Sequence, residues 1–264
     1  MRSRTALRLA ATAGLLGLCA CSESTAPASL IDQTTLTTDV ASSSGDAIAL
    51  DVSAIRGNDS TATLSAPAIA GASLGESGVL GQDSVIYVRS RTCFDSTGTT
   101  VNCVPLSAVR KIATHWSFTG FRNDTAENGA TFSGNLHRVA DDTLTRNFTG
   151  ASETSRTHGG VTNGSDTTSF VGPSVTRTHD ETGSDSVEAV TWNLPRASNL
   201  YPASGKVVRW VAVHATFTNA NRSQTTDVTK RIEVDFNGTG NVTLLIDGKT
   251  CNLNLLTRHV SNCQ

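Results

Sequence analysis

The side chains that could do chemistry in this chain are led by six histidines, which are scattered without the short spacing typical of metal ligands. Two of them share a context, because His158 and His179 each follow an Arg-Thr pair, and Asp180 and Glu181 come directly after the second. If hairpins bring these two rings together, they can bind a metal or a sugar. The alternative, which the pattern favours, is that each Arg-Thr-His is a polar strand end in contact with solvent.

Two further patterns match motifs of catalytic sites, but neither lies in the structural context that catalysis requires. Residues 71–75 read Gly-Ala-Ser-Leu-Gly and match a nucleophile elbow, but they lie in a Gly/Ala/Ser stretch with no strand before them. The adjacent acids Asp141 and Asp142, and also Asp180 and Glu181, fall in predicted turns, where paired carboxylates usually serve only to solvate the turn. We therefore predict no catalytic residue, no metal site and no cofactor.

The three tryptophans are the largest side chains and are candidates for ligand stacking. Trp116 and Trp210 lie in strongly apolar segments, which predicts that both belong to the core. Trp192 lies where a strand gives way to a loop, close to Tyr201, and is the better candidate for an exposed ring. The candidate ligand surface read from the sequence is therefore the set Trp192, Tyr201, His158 and His179.

Four cysteines, Cys93, Cys103, Cys251 and Cys263, follow the first segment of the chain and allow three disulfide connectivities. The two local pairings are preferred. Cys93 and Cys103 flank a turn-rich stretch and would face each other across a hairpin, while Cys251 and Cys263 would clip the C-terminal tail onto the last strand. A zinc site is the alternative, but the CxxC spacing that favours it is absent.

The first residues of the chain have the pattern of an export signal. Arg2, Arg4 and Arg8 give a positive start, and an apolar stretch runs from Leu9 to Leu18. That stretch is too short to span a bilayer as a helix and ends in small residues, which indicates a cleaved secretory signal.

The end of this segment resembles the lipobox of bacterial lipoproteins, in which a Leu, a tolerant position and a small residue precede the lipid-bearing Cys. Here these positions are Leu18, Cys19, Ala20 and Cys21. The resemblance implies that Cys21 becomes the lipidated N-terminus and that residues 1–20 are removed. Ser22 follows, not the Asp that lipoprotein sorting rules associate with inner-membrane retention, so the outer membrane is expected in a two-membrane cell.

Composition narrows the class of partner. The chain has 264 residues, a formal net charge of −2, 38% hydrophobic residues and only 5% aromatic residues. Acidic and basic residues are interspersed without a basic stripe, which argues against a nucleic-acid partner. No second apolar run reaches the ~20 residues of a membrane-spanning helix.

The organisation along the chain is one β domain preceded by a short helical stretch. Apolar residues recur at helical spacing over 36–56, where Thr38 or Asp39 could cap the helix, and alternate with period two from residue 83 onward. The predicted units are a signal peptide at 1–20, a flexible tether at 21–35, an amphipathic helix at 36–56, a linker at 57–82 and an antiparallel β domain at 83–264.

The distribution of apolar residues favours one sheet over two. Residues 120–190 are poor in apolar side chains and 205–256 are rich, whereas a sandwich needs two apolar inner faces throughout. We predict an all-β fold: a large, curved, antiparallel meander sheet resembling an open barrel, with a β-sandwich as the runner-up. Turns are expected at 158–165 and 180–184, and the Thr and Arg side chains of 120–190 are expected to line a solvated face.

These patterns predict a lipid-anchored cell-envelope protein that acts as a non-enzymatic binding or structural β scaffold. Its expected partners are the membrane, through the N-terminal lipid, and an envelope protein, glycan or lipid ligand. Two alternatives stay open at this point: a lipid or lipoprotein carrier with an open β-barrel, and an exported hydrolase.

Overall fold

A computed structural model describes residues 29–58, 84–125, 131–172 and 174–264. The signal segment with Cys21, the Gly-Ala-Ser-Leu-Gly stretch at 71–75 and most of the predicted linker lie outside these residues. Within them, the chain forms one helix and eleven strands. The helix and strands are α1 Gln33–Asn58, β1 Ser84–Phe94, β2 Thr100–Val101, β3 Lys111–Thr125, β4 Thr131–Thr149, β5 Ser152–Val171, β6 Thr176–Asn193, β7 Ser204–Thr218, β8 Ser223–Asp235, β9 Asn241–Ile246, β10 Lys249–Asn254 and β11 His259–Ser261.

All eleven strands belong to one antiparallel sheet, in the order β2-β1-β3-β4-β5-β6-β7-β8-β9-β10-β11. From β3 onward each strand pairs with the next one in the chain, as in a meander, whereas at the other edge β1 pairs with both β3 and the short edge strand β2. The sheet does not close into a barrel, because its first and last strands remain separate edges. The predicted fold class is confirmed, and the sandwich alternative is wrong.

The late strands show period-two alternation between buried and exposed positions. Along β7 the even-numbered positions from Trp210 to Thr218 face outward, and the odd ones from Val207 to Phe217 are buried. The hairpin between β9 and β10 turns at Asp247 and Gly248, whose φ angles of 50° and 76° suit the tight turn that Asp-Gly predicts.

Helix α1 begins three residues earlier than predicted, because Asp32 caps it. The Asp32 carboxylate accepts hydrogen bonds from the amides of Thr34 and Thr35 at 3.1 and 3.2 Å. Its bond from the Thr35 hydroxyl is the main reason why the pKa of Asp32 lies below its usual range. The alternative caps, Thr38 and Asp39, are wrong, since both lie inside the helix.

The helix lies in the concave side of the curved sheet and is buried around most of its circumference. From Leu36 to Ile55 only Thr38 and Ser53 are exposed. A helix surrounded in this way shows a weak amphipathic pattern, which is why its Ser-Ser-Ser-Gly stretch is compatible with helical structure. Gly45 lies where α1 approaches β11 most closely: a Cβ there would be 2.4 Å from Cγ2 of Val260.

The apolar core lies on one half of the inner face. It joins α1 to strands β6–β11 through buried side chains that include Val211, Val213, Phe217, Ile232, Val234, Phe236, Leu244 and Ile246. A smaller cluster with Trp116 and Phe118 packs against the far end of the helix. Within the described residues, no helix has both the length and the apolar character needed to cross a bilayer.

The predicted turns at 158–165 and 180–184 are wrong, because both segments lie inside the long strands β5 and β6. Their Gly, Asn and Asp residues are typical of turns, but here the glycines make room for long side chains of neighbouring strands. The adjacent acids at 141–142 and 180–181 are likewise in mid-strand, so that one member of each pair faces inward and the other outward.

Both predicted disulfides are present, one at each edge of the sheet. Cys93–Cys103 ties β1 to the segment after the edge strand β2. Cys251–Cys263 ties β10 to the tail after the edge strand β11.

Candidate functional site

Three of the four residues predicted to form a ligand surface are buried. The side chains of His158, His179 and Trp192 are 0% exposed, and Tyr201 is half-buried. The expectation that Trp192 is the exposed tryptophan is therefore wrong. The two histidines also stay apart, because His158 pairs with Val190 at one end of the β5–β6 ladder and His179 with Thr168 near the other.

Each of these buried side chains has a structural partner. His158 Nδ1 lies 2.9 Å from Oδ2 of Asp142, and its ring meets the Trp192 ring edge-on. The guanidinium of Arg196 covers the Trp192 ring at 4.3 Å from the ring centre. The Trp192 indole is therefore enclosed between the Arg196 guanidinium and the His158 imidazole. This explains why the ring is inaccessible to solvent, although it lies where a strand gives way to a loop.

His179 lies under the helix between two acids. Its Nε2 is 3.6 Å from Oδ2 of Asp39, and its Nδ1 is 3.8 Å from Oε1 of Glu181. Burial, together with the positive charge of Arg177, lowers the pKa of His179 to about 4. The ring is therefore neutral at neutral pH.

The middle of the inner face carries charged side chains, contrary to the expectation of a solvated face. Antiparallel register places residues of β4, β5, β6 and β7 in straight rows across the sheet. Three adjacent inner rows are Leu136, Asp166, Glu181, Val213; Arg138, Gly164, Gly183, Val211; and Ala140, Thr162, Asp185, Arg209.

We call the charged members of these rows, together with Asp51 from α1, the buried ionic cluster. Oδ2 of Asp166 accepts from Nη2 of Arg138 at 2.8 Å and from Nη2 of Arg209 at 3.1 Å. Arg209 also donates to both carboxylate oxygens of Asp185, at 3.0 and 3.1 Å. Asp166 of β5 thus joins two arginines of the same face, one from β4 and one from β7.

Glycine makes this arrangement possible. Gly164 lies directly opposite Arg138, and a Cβ at position 164 would be 2.3 Å from Nη1 of that arginine. Any larger residue at position 164 would occupy the space that the Arg138 guanidinium fills. Gly183 and Arg209 depend on each other in the same way. Sequence patterns miss this relationship, since the partners are 26 residues or more apart in the chain.

The electrostatics of the cluster follow from its burial. Four carboxyls face two guanidiniums, so that charges balance when two of the acids hold a proton. Burial raises the pKa of Glu181 to about 7, and burial with the neighbouring charge of Asp185 raises that of Asp51 well above its usual range. Burial alone would lower the pKa of Arg209, but the adjacent carboxylates outweigh it and keep the guanidinium charged.

The cluster binds the helix to the sheet. Ser43 of α1 donates to Oε1 of Glu181 at 2.7 Å, and Asp39 accepts from Nε of Arg177 at 2.6 Å. These contacts occupy the polar side of the helix, while its apolar side packs on the core formed by β6–β11. Because α1 covers the cluster, its charges are not presented to a ligand in this arrangement.

The outer face of the central strands, β4 to β8, is open. Its rows are Asn135, Thr167, Asp180, His214, Asp227; His137, Ser165, Thr182, Ala212, Thr229; and Val139, Asn163, Ser184, Trp210, Arg231. The small residues of the second row form the floor of an open depression of about 490 Å³, which we call the outer trough.

The two sides of the outer trough differ in chemistry. On one side His214 Nδ1 lies 2.7 Å from Oδ1 of Asp227, and Thr167 donates to Oδ1 of Asp180 at 3.1 Å. Beyond the other side, two residues from Ala212 on the same face of β7, stands Trp210, which is 55% exposed, with the Arg231 guanidinium 5.9 Å from its ring centre. The trough therefore has polar side chains that face solvent along one side and an open aromatic ring next to it on the other.

The assignment of Trp210 to the core is also wrong. The segment around it is apolar on both faces, but the phase of β7 continues outward through Ala212, His214 and Thr216. That phase was the signal that could have identified Trp210 as an exposed residue.

Metal binding and covalent catalysis have little support in the part of the chain that the structure describes. No group of three or more potential metal ligands comes together there. Two exposed histidines do pair with acids, His115 with Asp141 and His214 with Asp227, at 2.8 and 2.7 Å. Within those described ranges, neither ring has a serine, threonine or cysteine on its other nitrogen.

A comparison of the chain with known protein families, curated proteins and solved structures finds no match.

Proposed function

We propose that this protein is a lipid-anchored cell-envelope scaffold that binds its partner on the outer face of the sheet, without catalysis. The observation that carries the proposal is the contrast between the two faces. The inner face is occupied by α1 and the buried ionic cluster, whereas the outer face over β5–β8 is open, polar and recessed at the outer trough.

The anchor is supported by the sequence at residues 18–21, and the two disulfides suit an exported protein. A lipid on Cys21 is joined to the N-terminus of α1 by the segment up to Asp32. In a cell with two membranes we place the protein at the outer membrane, because Ser22 follows the lipidated residue.

The two alternatives fit the geometry less well. A lipid carrier needs an apolar cavity on the concave side, but α1 lies there, and the gap between the helix and strands β4–β5 measures about 20 Å³, the room of one water. A hydrolase needs a nucleophile or an activated water beside an accessible base, and the exposed His–Asp pairs of the described residues lack a hydroxyl partner.

The experiment compares Cys21→Ser with Cys19→Ser in the full chain, expressed with a radiolabelled fatty acid. Cys21→Ser should lose the label and leave the membrane fraction or remain uncleaved, whereas Cys19→Ser, two residues away, should keep both label and location. Normal acylation of the Cys21→Ser chain would refute the anchor.

A further inference from the structure

We infer that the outer trough is a binding site for a neutral oligosaccharide. This deepens the proposed function and rests on it, since it gives a ligand class to the open face. The trough has a floor of small side chains and a row of hydrogen-bonding groups on four adjacent strands, and the exposed indole of Trp210 stands in the next row of the same face.

The first argument is the exposure of Trp210. Of the three tryptophans, Trp116 and Trp192 are 0% exposed, while Trp210 is 55% exposed in the middle of a regular strand. An indole left in water keeps a large apolar face unburied. The apolar C–H face of a sugar ring matches such a flat surface, and its hydroxyls remain free to bond elsewhere.

The second argument is the hydrogen-bonding row opposite the indole. Oδ1 of Asp180 and Oδ1 of Asp227 are held by Thr167 and His214, which fixes both carboxylates on the outer face. Their Oδ2 atoms remain available to accept bonds from hydroxyls, and bonds to a charged acceptor are the stronger kind. A hydroxyl-rich ligand satisfies this row, whereas a purely apolar ligand would leave it unpaired.

The third argument is the shape of the floor. Ser165, Thr182, Ala212 and Thr229 lie side by side on β5, β6, β7 and β8, so the trough runs across the strands. Four strands at the usual spacing give it a length of roughly 14 Å. A trough of this length accommodates several sugar rings in a row, which favours an oligosaccharide over a single sugar.

The fourth argument is charge. Asp180 and Asp227 make the polar side acidic, and the charge of Arg231 is paired with Glu233 on the same strand. Uronic acids, phosphates and nucleic acids would therefore be repelled. The ligand class that fits both the indole and the acids is a neutral glycan.

The test uses the full-length chain in detergent, so that it does not depend on whether the anchor is attached. Titration calorimetry with three probes, tetra-N-acetylchitotetraose, cellotetraose and tetragalacturonate, separates neutral from anionic sugars. We expect at least one neutral tetrasaccharide to bind with a shift in tryptophan fluorescence, and tetragalacturonate not to bind.

The variants locate the site. Trp210→Ala should weaken binding by about tenfold or more, and Trp210→Phe should retain most of it, because a ring remains. Ala212→Arg should block the floor and abolish binding. The matched control is Phe121→Ala, which removes an exposed aromatic on the same face four strands away and should leave binding unchanged.

Several outcomes would overturn the inference. They are the absence of binding to both neutral probes, equal binding of tetragalacturonate, and unchanged affinity of Trp210→Ala or Ala212→Arg. Melting curves check the folding of each variant, and the Ala212→Arg chain tests the site independently if Trp210→Ala misfolds. If the glycans fail to bind while Cys21 is acylated normally, only the ligand class is rejected. If the Cys21→Ser chain is still acylated, the anchor is rejected and the glycan-binding result is unaffected.

Discussion

The guanidinium of Arg209 lies against the backbone of Gly183: a Cβ at position 183 would be 2.8 Å from Cζ of that arginine. Arg209 is 0% exposed and paired with two acids, so it cannot swing into solvent to make room. The ionic cluster therefore requires glycine at position 183, although the backbone there has an ordinary strand conformation.

We expect a graded loss of stability when the two glycines beside the arginines of the ionic cluster, Gly164 and Gly183, are replaced by alanine. Gly164→Ala should cost more of the two, above about 2 kcal/mol, because the new Cβ would meet both Arg138 and the carbonyl oxygen of His137 at 2.6 Å. Gly183→Ala should cost about 1–3 kcal/mol by displacing the Arg209 side chain.

The control is Gly159→Ala, whose Cβ would make only an ordinary contact, 3.6 Å from the carbonyl oxygen of Val187. The free energy of unfolding of this variant should lie within about 0.5 kcal/mol of the value for the parent chain. Urea unfolding measures all three variants, and equal effects at positions 159 and 164 would contradict the packing argument.

Stability should fall with rising pH because of Glu181. Burial raises its pKa to about 7 from an ordinary 4.5, so the folded chain holds a proton that the unfolded chain has already lost. The stabilisation from this proton is complete below about pH 4.5 and disappears as pH rises through 7. Between pH 6.5 and 8.5 the loss should be about 1 kcal/mol.

Glu181→Gln removes this dependence, since an amide mimics the protonated acid and can still accept from Ser43. The stability of the variant relative to the parent should therefore rise by about 1 kcal/mol between pH 6.5 and pH 8.5. His179 works in the opposite direction, with its pKa lowered to about 4, but it affects only the range below about pH 6.5. A parent chain whose stability rises from pH 6.5 to 8.5 relative to the Gln variant would contradict this assignment.

Gly45→Ala should destabilise the protein despite improving the helix. Alanine favours an isolated helix by about 1 kcal/mol over glycine, but here its Cβ would overlap Cγ2 of Val260, at 2.4 Å. We expect a net loss of about 1–2 kcal/mol. The control is Thr38→Ala, at an exposed site on the same helix, which changes the helix propensity without adding a contact to the sheet.

A double-mutant cycle isolates the contact. Val260→Ala by itself loses core packing, but combined with Gly45→Ala it should remove the overlap, so that the two changes together cost less than their sum. Simple additivity of the two free-energy changes would show that α1 and β11 do not meet at this point.

Removing the Cys251–Cys263 pair with two alanines should cost about 2–4 kcal/mol. Cys251 is 0% exposed in the main apolar core, and β11, which this disulfide holds, carries Val260 against the helix. Mass mapping of the unreduced protein verifies the pairing first. Chemical denaturation then compares the double variant with the corresponding Cys93, Cys103 variant, which affects only a small separate cluster and should lose less.

The sequence predicts the parts of this fold that depend on local patterns. Alternation in β7 and β8, the Asp247-Gly248 turn and both cysteine pairs could all be recognised from neighbouring residues. The inner face could not, because its order comes from register across four strands. Gly164 is typical of a turn until Arg138 is known to lie beside it, and His158 resembles a solvated strand end until the Asp142 carboxylate of the neighbouring strand is found next to its ring.

The shortness of the two edge strands has a consequence for assembly. An open antiparallel sheet offers unpaired backbone groups at both ends, where another chain could add a strand. Here the ends are β2, of two residues, and β11, of three, each held in place by a disulfide beside it. Each disulfide therefore fastens a short strand over part of the edge of β1 or β10, and we expect its reduction to leave more backbone groups of these two strands unpaired.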